Sequence, residues 1–406
     1  MTKKTVVIGG GASGLIAAYF SAAFSETVII EKNEKLGKKI YITGKGRCNV
    51  TNDCDVEEFL SNVVTNPKFL ISAINAFPPE KLTSLLEENG LRLKTERGNR
   101  VFPLSDKSSD VIKTLVKMCD GAGVITRLNE KVLKIVTENG SVKSVVTDKG
   151  EIKADRVIVA TGGASYPLTG STGDGYAFAE SVGHTVTPVT SALSGILAEE
   201  DFCSELSGLS LKNIELSAEV GGKIVAKEFG EMLFTHFGVS GPVVLTISSY
   251  INRKINDGVR LCLDLKPALS EKQLDLRILR DFAEQKGKLL KNSLFKLLPK
   301  NLVPVVIEKS GLNGEKNTSV VTKEERAGLV KTLKRFELMV KGLAPLEQAI
   351  VTSGGVSVRE INPKTMESKL VKGLRFAGEV IDVDALTGGF NLQIAFATGY
   401  LAGISN

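Results

Sequence analysis

Histidine occurs only twice in the 406 residues, at 184 and 236, and the five cysteines (Cys48, Cys54, Cys119, Cys203, Cys262) contain no Cys-x-x-Cys pair. That scarcity argues against a histidine-based metal site, a zinc framework, a dithiol relay and a disulfide scaffold. No apolar run reaches the roughly 18 residues of a membrane span, and Met1 leads straight into a strand instead of a signal-peptide core, so a cytoplasmic protein is expected. Despite a net charge of +6 and a pI near 8.9, no run of five basic residues occurs. The basic residues are spread along the chain, and no nucleic-acid partner is expected. With so few reactive side chains, the chemistry is expected from an organic cofactor.

Glycine, by contrast, is plentiful and clustered. There are 40, with runs at Gly9-Gly10-Gly11, Gly162-Gly163, Gly354-Gly355 and Gly388-Gly389, as expected where backbone comes close to a ligand. The run Thr5-Val6-Val7-Ile8 reads as a buried strand, followed by a glycine turn, a helix of small residues to about Phe24, and a second strand, Thr27 to Ile30, ending at Glu31. In Gly9-x-Gly11-x-x-Gly14 the first glycine permits the turn and the second admits a pyrophosphate. The third packs helix on strand, and Ala12 and Ser13 open the helix whose positive end faces the phosphate. Glu31, 22 residues after Gly9, is placed to accept ribose hydroxyls, with Lys32 beside it. An acid there suits an unphosphorylated ribose, so the dinucleotide is NAD or FAD.

Two later segments choose between them. Arg156 to Ala160 reads as a buried strand breaking at Ala160-Thr161-Gly162-Gly163, which resembles the segment that returns the chain to the FAD site in two-dinucleotide-binding-domain flavoproteins. Phe376-Ala377-Gly378-Glu379-Val380-Ile381-Asp382, with Gly388-Gly389-Phe390-Asn391-Leu392-Gln393, resembles their C-terminal flavin motif. Gly37-Lys38-Lys39-Ile40 and Thr43-Gly44-Lys45-Gly46-Arg47-Cys48-Asn49-Val50-Thr51-Asn52 resemble the signature of the aminoacetone-oxidase type family of bacterial FAD-dependent oxidoreductases. Segments 163–167, 170–176, 230–242 and 352–356 are similar to that family too. The resemblance implies that the loop with Lys38, Arg47, Cys48, Asn49 and Val50 lies along FAD, that Val132 passes the adenine, that Asp382 bonds the ribityl chain or phosphate, and that Gly378 and Glu379 also bind the cofactor. It also implies that the helix from Asn391 aims its N-terminus at the isoalloxazine. Read without it, Lys38, Lys39, Lys45 and Arg47 are an anion clamp or a solvated basic loop, and Cys48 is a low-pKa thiol or a packing residue.

The expected fold is α/β: a Rossmann-like, three-layer FAD-binding domain (1–190 and 343–406) interrupted by a β-rich substrate or lid domain (191–269 and 335–342) with a helical insertion (270–334). Residues 57–90 and 107–119 read as helical. Asn139-Gly140 marks a hairpin between 131–137 and 142–148. Ser270-x-x-Gln273 and Thr322-x-x-Glu325 have capping-box spacing.

His236, in a turn-rich segment, is a candidate acid/base and Tyr166 a second one, each weighed against a packing role; helix capping explains His184 better. Only one dinucleotide fingerprint is present, so NAD(P)H would act as a transient reductant, or a redox partner would supply electrons. The expected reaction is hydride transfer between flavin and a small organic substrate, most simply reduction of an activated C=C bond such as an enone. The family resemblance extends this to bile-acid-like substrates. The alternatives are oxidation of small amines, an RNA-modifying flavoprotein and a non-catalytic redox sensor.

Overall fold

A computed structural model describes residues 3–404; residues 1–2, where the reading of the N-terminus began, and 405–406 lie outside the described residues. The chain forms two compact units, Met1–Ala192 with Pro345–Asn406, and Leu193–Ala344.

The first unit is built on a five-stranded parallel sheet. Strand β1 (Lys4–Ile8) lies at its centre, with β2 (Glu26–Ile30) and then Ile125–Arg127 on one side and Arg156–Val159 and then Leu374–Phe376 on the other. The central strands are runs of Val and Ile buried on both faces, as a covered parallel sheet requires. This order places the carboxyl ends of β1 and Arg156–Val159 side by side, where open α/β sheets bind ligands. A three-stranded antiparallel meander (Val132–Glu138, Ser141–Thr147, Gly150–Lys153) turns at Asn139-Gly140, as its sequence predicts.

Helix α1 (Ala12–Ser21) packs on the C-terminal helix (Phe390–Ile404) almost backbone to backbone. A Cβ on Gly399 would lie 2.5 Å from the Ser13 carbonyl, and one on Gly403 2.6 Å from that of Ala17. The first and last segments of the chain are thereby one piece of structure.

The stretch 57–90 is not one helical run. It divides into Val56–Ser61, a short strand Val63–Thr65, Pro67–Ala76 and Pro79–Glu88. Pro67 and Pro79 each start a new helix, where a missing N–H costs nothing. The strand exists because Asp384–Ala385 pairs with it, a partner some 320 residues away that local pattern could not reveal.

In the second unit six antiparallel strands close into a barrel: Ile196–Ala198, Gly238–Ser240, Lys223–Thr235, Ser210–Val220, Val259–Asp264 and Phe336–Leu343. Leu211, Ile214, Leu216, Phe234, Leu261 and Leu338 belong to its core. Between the last two strands of the chain order run helices Glu271–Glu284, Leu290–Ser293, Leu302–Lys309 and Lys323–Lys334. Both capping boxes form, at Ser270/Gln273 and Thr322/Glu325.

Candidate functional site

The turn after β1 has the properties its glycines predict. Gly9 has φ +104°, and a Cβ there would lie 2.6 Å from the Ala160 carbonyl, so this residue lets β1 and the strand before Ala160 close up. A Cβ on Gly14 would collide with the Gly9 carbonyl, whereas one on Gly11 would meet open space. Gly11 is also the N-cap of α1 and no side chain caps the helix, leaving its first N–H groups for an anion.

Glu31, nearly buried, is held by the turn it serves. One carboxylate oxygen accepts from the Gly10 N–H at 2.8 Å, the other from Asn33 N at 2.9 Å and Asn33 Nδ2 at 2.6 Å. Lys32 pairs with Asp174 at 2.6 Å and donates to Thr172 at 2.5 Å.

Three basic residues of the loop have partners within the chain. Arg47 pairs with Glu96 and Asp106, both at 2.5 Å, and its guanidinium lies 4.2 Å from the Phe102 ring centre. Lys38 reaches Glu34 at 3.3 Å and Asn33 at 3.4 Å. Lys39 pairs with Glu379 at 2.7 Å and donates to Ser165 at 2.7 Å. Cys48 is fully buried at φ +59°, and burial pushes its thiol up to about 11, which supports the packing role. Beside it, the Asn49 Oδ1 is buried without a partner, an acceptor of the kind a bound N–H would complete, and Val50 is core.

The C-terminal motif comes up against the phosphate end of α1. Gly378 (φ +78°) would place a Cβ 2.6 Å from Ser13 Oγ, and its N–H donates to Thr398 at 2.9 Å. Ala160 donates to the Ile8 carbonyl at 2.9 Å, so Thr161 and Gly162 follow directly beside the glycine turn. Glu379 accepts from Lys39, from Thr352 N at 2.8 Å and from Ser165 Oγ at 3.3 Å. Burial pushes its carboxyl up, but the Lys39 charge and these donors outweigh burial and hold it below the usual range. Asn66 donates to the Asp382 carbonyl at 2.7 Å and to its carboxylate at 3.3 Å.

Two residues expected at the flavin make hydrogen bonds within the chain. Gln393, buried, accepts from Thr51 Oγ1 at 2.8 Å and donates to the Phe77 carbonyl at 2.7 Å. Asn391 brackets Ala385, accepting from its N–H at 3.0 Å and donating to its carbonyl at 2.7 Å. Leu392 is half-buried against the apolar core. Val132 is buried at the start of its strand.

Tyr166 is half-buried at φ +54°, and its carbonyl accepts from Thr169 N at 2.9 Å. His236 is exposed in the turn between Lys223–Thr235 and Gly238–Ser240, its ring 5.0 Å from that of Phe237. His184 is structural: buried against Phe376, it meets Glu360 at 3.1 Å and Ser368 at 2.7 Å. Reading the sequence assigned no role to Ser165, Thr352 or Asn66. The first two sit inside family-like motifs, which was the available signal; Asn66 carried none.

An open anion site at a helix N-terminus, a braced ribose-side carboxylate, an unsatisfied buried acceptor and the C-terminal motif all in one unit fit FAD, and this fold and site define an FAD-dependent oxidoreductase. The chain belongs to the HI0933-like family: the model of the HI0933-like protein Rossmann domain matches residues 3–405. It is 31% identical over 405 residues to the 3-dehydro-bile acid delta(4,6)-reductase of Clostridium scindens, covering 98% of this chain and 97% of that one. It is 32% identical over 409 residues to the ribosomal RNA dihydrouridine synthase of Haemophilus influenzae, covering 99% and 98%. Among solved structures, the 3-ketosteroid-delta4-(5alpha)-dehydrogenase of Rhodococcus jostii RHA1 shares the fold, with a TM-score of 0.52 at 14% identity over 99% of this chain and 96% of that one. Among the described residues no helix is long and apolar enough to cross a membrane.

Proposed function

We propose that the protein reduces a C=C bond conjugated to a carbonyl group, with NAD(P)H as a transient reductant. The observation that carries this reading is the meeting of Gly378 with Ser13 at the open end of α1, which joins both halves of a flavin cradle. The names of two relatives add direction, because both describe saturation of a C=C bond: in a 3-dehydro bile acid, and in a uridine of ribosomal RNA. In each, a neighbouring carbonyl can draw electrons from the double bond. FAD, when bound, supplies the hydride.

The chain supplies the rest. The first N–H groups of α1 hold the pyrophosphate, Glu31 accepts the ribose hydroxyls, and Asn49 Oδ1 accepts from a ring N–H. His236 and Tyr166 are the candidates to deliver the proton that the carbon next to the carbonyl takes up once hydride has added to the far end of the double bond. A small enone of steroid or bile-acid type is the first acceptor to try. The test is anaerobic reduction of the purified protein by NADH or NADPH, followed by addition of a 3-oxo-4-ene steroid, uridine or oxygen. Reoxidation by a conjugated acceptor supports the reading; reduction by aminoacetone with reoxidation by oxygen alone overturns it in favour of amine oxidation.

A further inference from the structure

A three-stranded antiparallel sheet in the first unit, Thr51–Asn52, Arg100–Pro103 and Leu93–Glu96, carries more cations than carboxylates on one face. Glu96, Arg100 and Asn52 stand opposite one another across the strands, as do Lys94 and Phe102. Residues paired in this way share a face, and Arg100 and Phe102, two apart on one strand, share it as well. Arg47 joins that face, its guanidinium 4.2 Å from the Phe102 ring centre.

Two carboxylates meet these cations. Glu96 pairs with Arg47 at 2.5 Å and with Lys94 at 3.4 Å, and Asp106 pairs with the same two at 2.5 and 2.7 Å. Arg100, although directly opposite Glu96, is left out. Its Nε donates to the Arg97 carbonyl at 3.0 Å, which orients the guanidinium, and among the described residues its two terminal nitrogens have no partner. Arg97 is exposed like Arg100, and neither has a carboxylate within ion-pair distance among the described residues.

This surplus of charge stands beside residues assigned to FAD. Asn52, next to Arg100 in register, donates to the Gly98 carbonyl at 3.0 Å and to the Gly388 carbonyl at 3.1 Å, which ties the hairpin tip to the glycines that precede the C-terminal helix. Asn49, whose buried Oδ1 is the acceptor proposed for a ring N–H, is close to the same aromatic ring: a Cβ on Gly44 would lie 3.6 Å from the Phe102 ring and 4.0 Å from the Asn49 Cβ.

We infer that Arg100, with Arg97, receives a phosphate group of the nicotinamide dinucleotide that reduces the flavin. The inference rests on the proposed use of NAD(P)H and names its site. The chain has one dinucleotide fingerprint, at Gly9 to Gly14, and FAD takes it, so the phosphates of a second dinucleotide must be held by side chains. A guanidinium with a free fork suits that task, because it stays charged and bonds two phosphate oxygens at once, which a lysine reproduces only in part. In the step it serves, the dihydronicotinamide C4–H bond breaks, the hydride passes to the flavin, and the oxidised nicotinamide leaves with its phosphates.

The test follows anaerobic bleaching of the bound flavin by NADPH and by NADH over a range of concentrations, using the full-length, FAD-loaded protein. Arg100→Gln should raise the apparent Kd by about tenfold or more, Arg97→Gln by less, and Arg100→Lys should restore part of the loss. A defect confined to NADPH assigns the 2′-phosphate and an equal defect with NADH assigns the pyrophosphate; either supports the inference. Flavin content and melting temperature should match wild type in each variant, which separates a lost contact from misfolding. Unchanged Kd for both nucleotides, or a defect confined to reoxidation by a steroid enone that bears a carboxylate, would overturn the inference. Reduction by NADPH without reoxidation by any enone would sink the proposed reaction and leave this site standing. Reoxidation by an enone of dithionite-reduced protein that neither nucleotide reduces would do the reverse.

Discussion

The Lys39 ammonium lies 2.7 Å from the Glu379 carboxylate, joining the basic loop near the N-terminus to the C-terminal flavin motif across 340 residues of sequence. Both side chains are largely shielded, at 25% and 19% exposure. Replacing this carboxylate by an amide keeps an oxygen for the Thr352 and Ser165 donors but leaves the shielded Lys39 ammonium without its counter-charge. Glu379→Gln should therefore cost about 1–3 kcal/mol in urea unfolding. Because the folded carboxyl titrates below its ordinary value of 4.5, its contribution is complete above that value and disappears as the pH falls through the lower, folded one. The variant should lose part of the wild type's acid sensitivity; identical unfolding curves at neutral and acid pH would mean that the pair is idle.

Glu31 braces the Gly10 N–H and is the residue expected to hold ribose hydroxyls. Glu31→Ala should weaken flavin retention on dilution or gel filtration while leaving turnover per bound flavin close to wild type. Full flavin occupancy with abolished turnover would show that Glu31 acts on the reaction itself.

Cys48 is buried, with its thiol pushed up to about 11. Alkylation at pH 8 should spare it in the native protein and label it once the chain is unfolded, since only the thiolate reacts and access is closed. Rapid native labelling would restore the redox reading of this residue.

The nucleotide end of the fold was readable because its signals are local: a Val/Ile run, glycines at fixed offsets, an acid closing the second strand. The capping boxes at Ser270 and Thr322 were readable for the same reason. What was not readable is where long-range partners lie. Ile196–Ala198 and Gly238–Ser240 close the barrel with three residues each, too few to show an alternation. Arg47, read as part of an anion clamp or a solvated basic loop, also pairs with Glu96 and Asp106, and Gln393, expected at the flavin, also bonds Thr51, 342 residues away. Motif spacing shows that a polar side chain stands near a site; the distant partners it also bonds are not written in the motif.

The two histidines should part company under mutation. His184→Ala should destabilise by about 1–3 kcal/mol by removing the buried ring's hydrogen bonds to Ser368 and Glu360 and its packing against Phe376. Burial holds its imidazole below the usual value of 6.5 against the pull of Glu360, so this site's contribution is full above that value and declines as the pH drops below it. The exposed His236 has no such network. Its replacement by Asn should leave the melting temperature and flavin content unchanged and, if it delivers the proton, depress turnover by about 10²-fold. Unchanged turnover per flavin would remove His236 from the reaction.

The central claim is that residues at the two ends of the chain build one FAD cradle, and it is tested most directly by denaturing the purified protein and identifying what it releases. The account predicts one FAD per chain, because the open anion site at Gly11 and the carboxylate of Glu31 serve a pyrophosphate and an adenosine ribose that FMN lacks. Release of FMN, or failure to take up FAD on reconstitution, would contradict it.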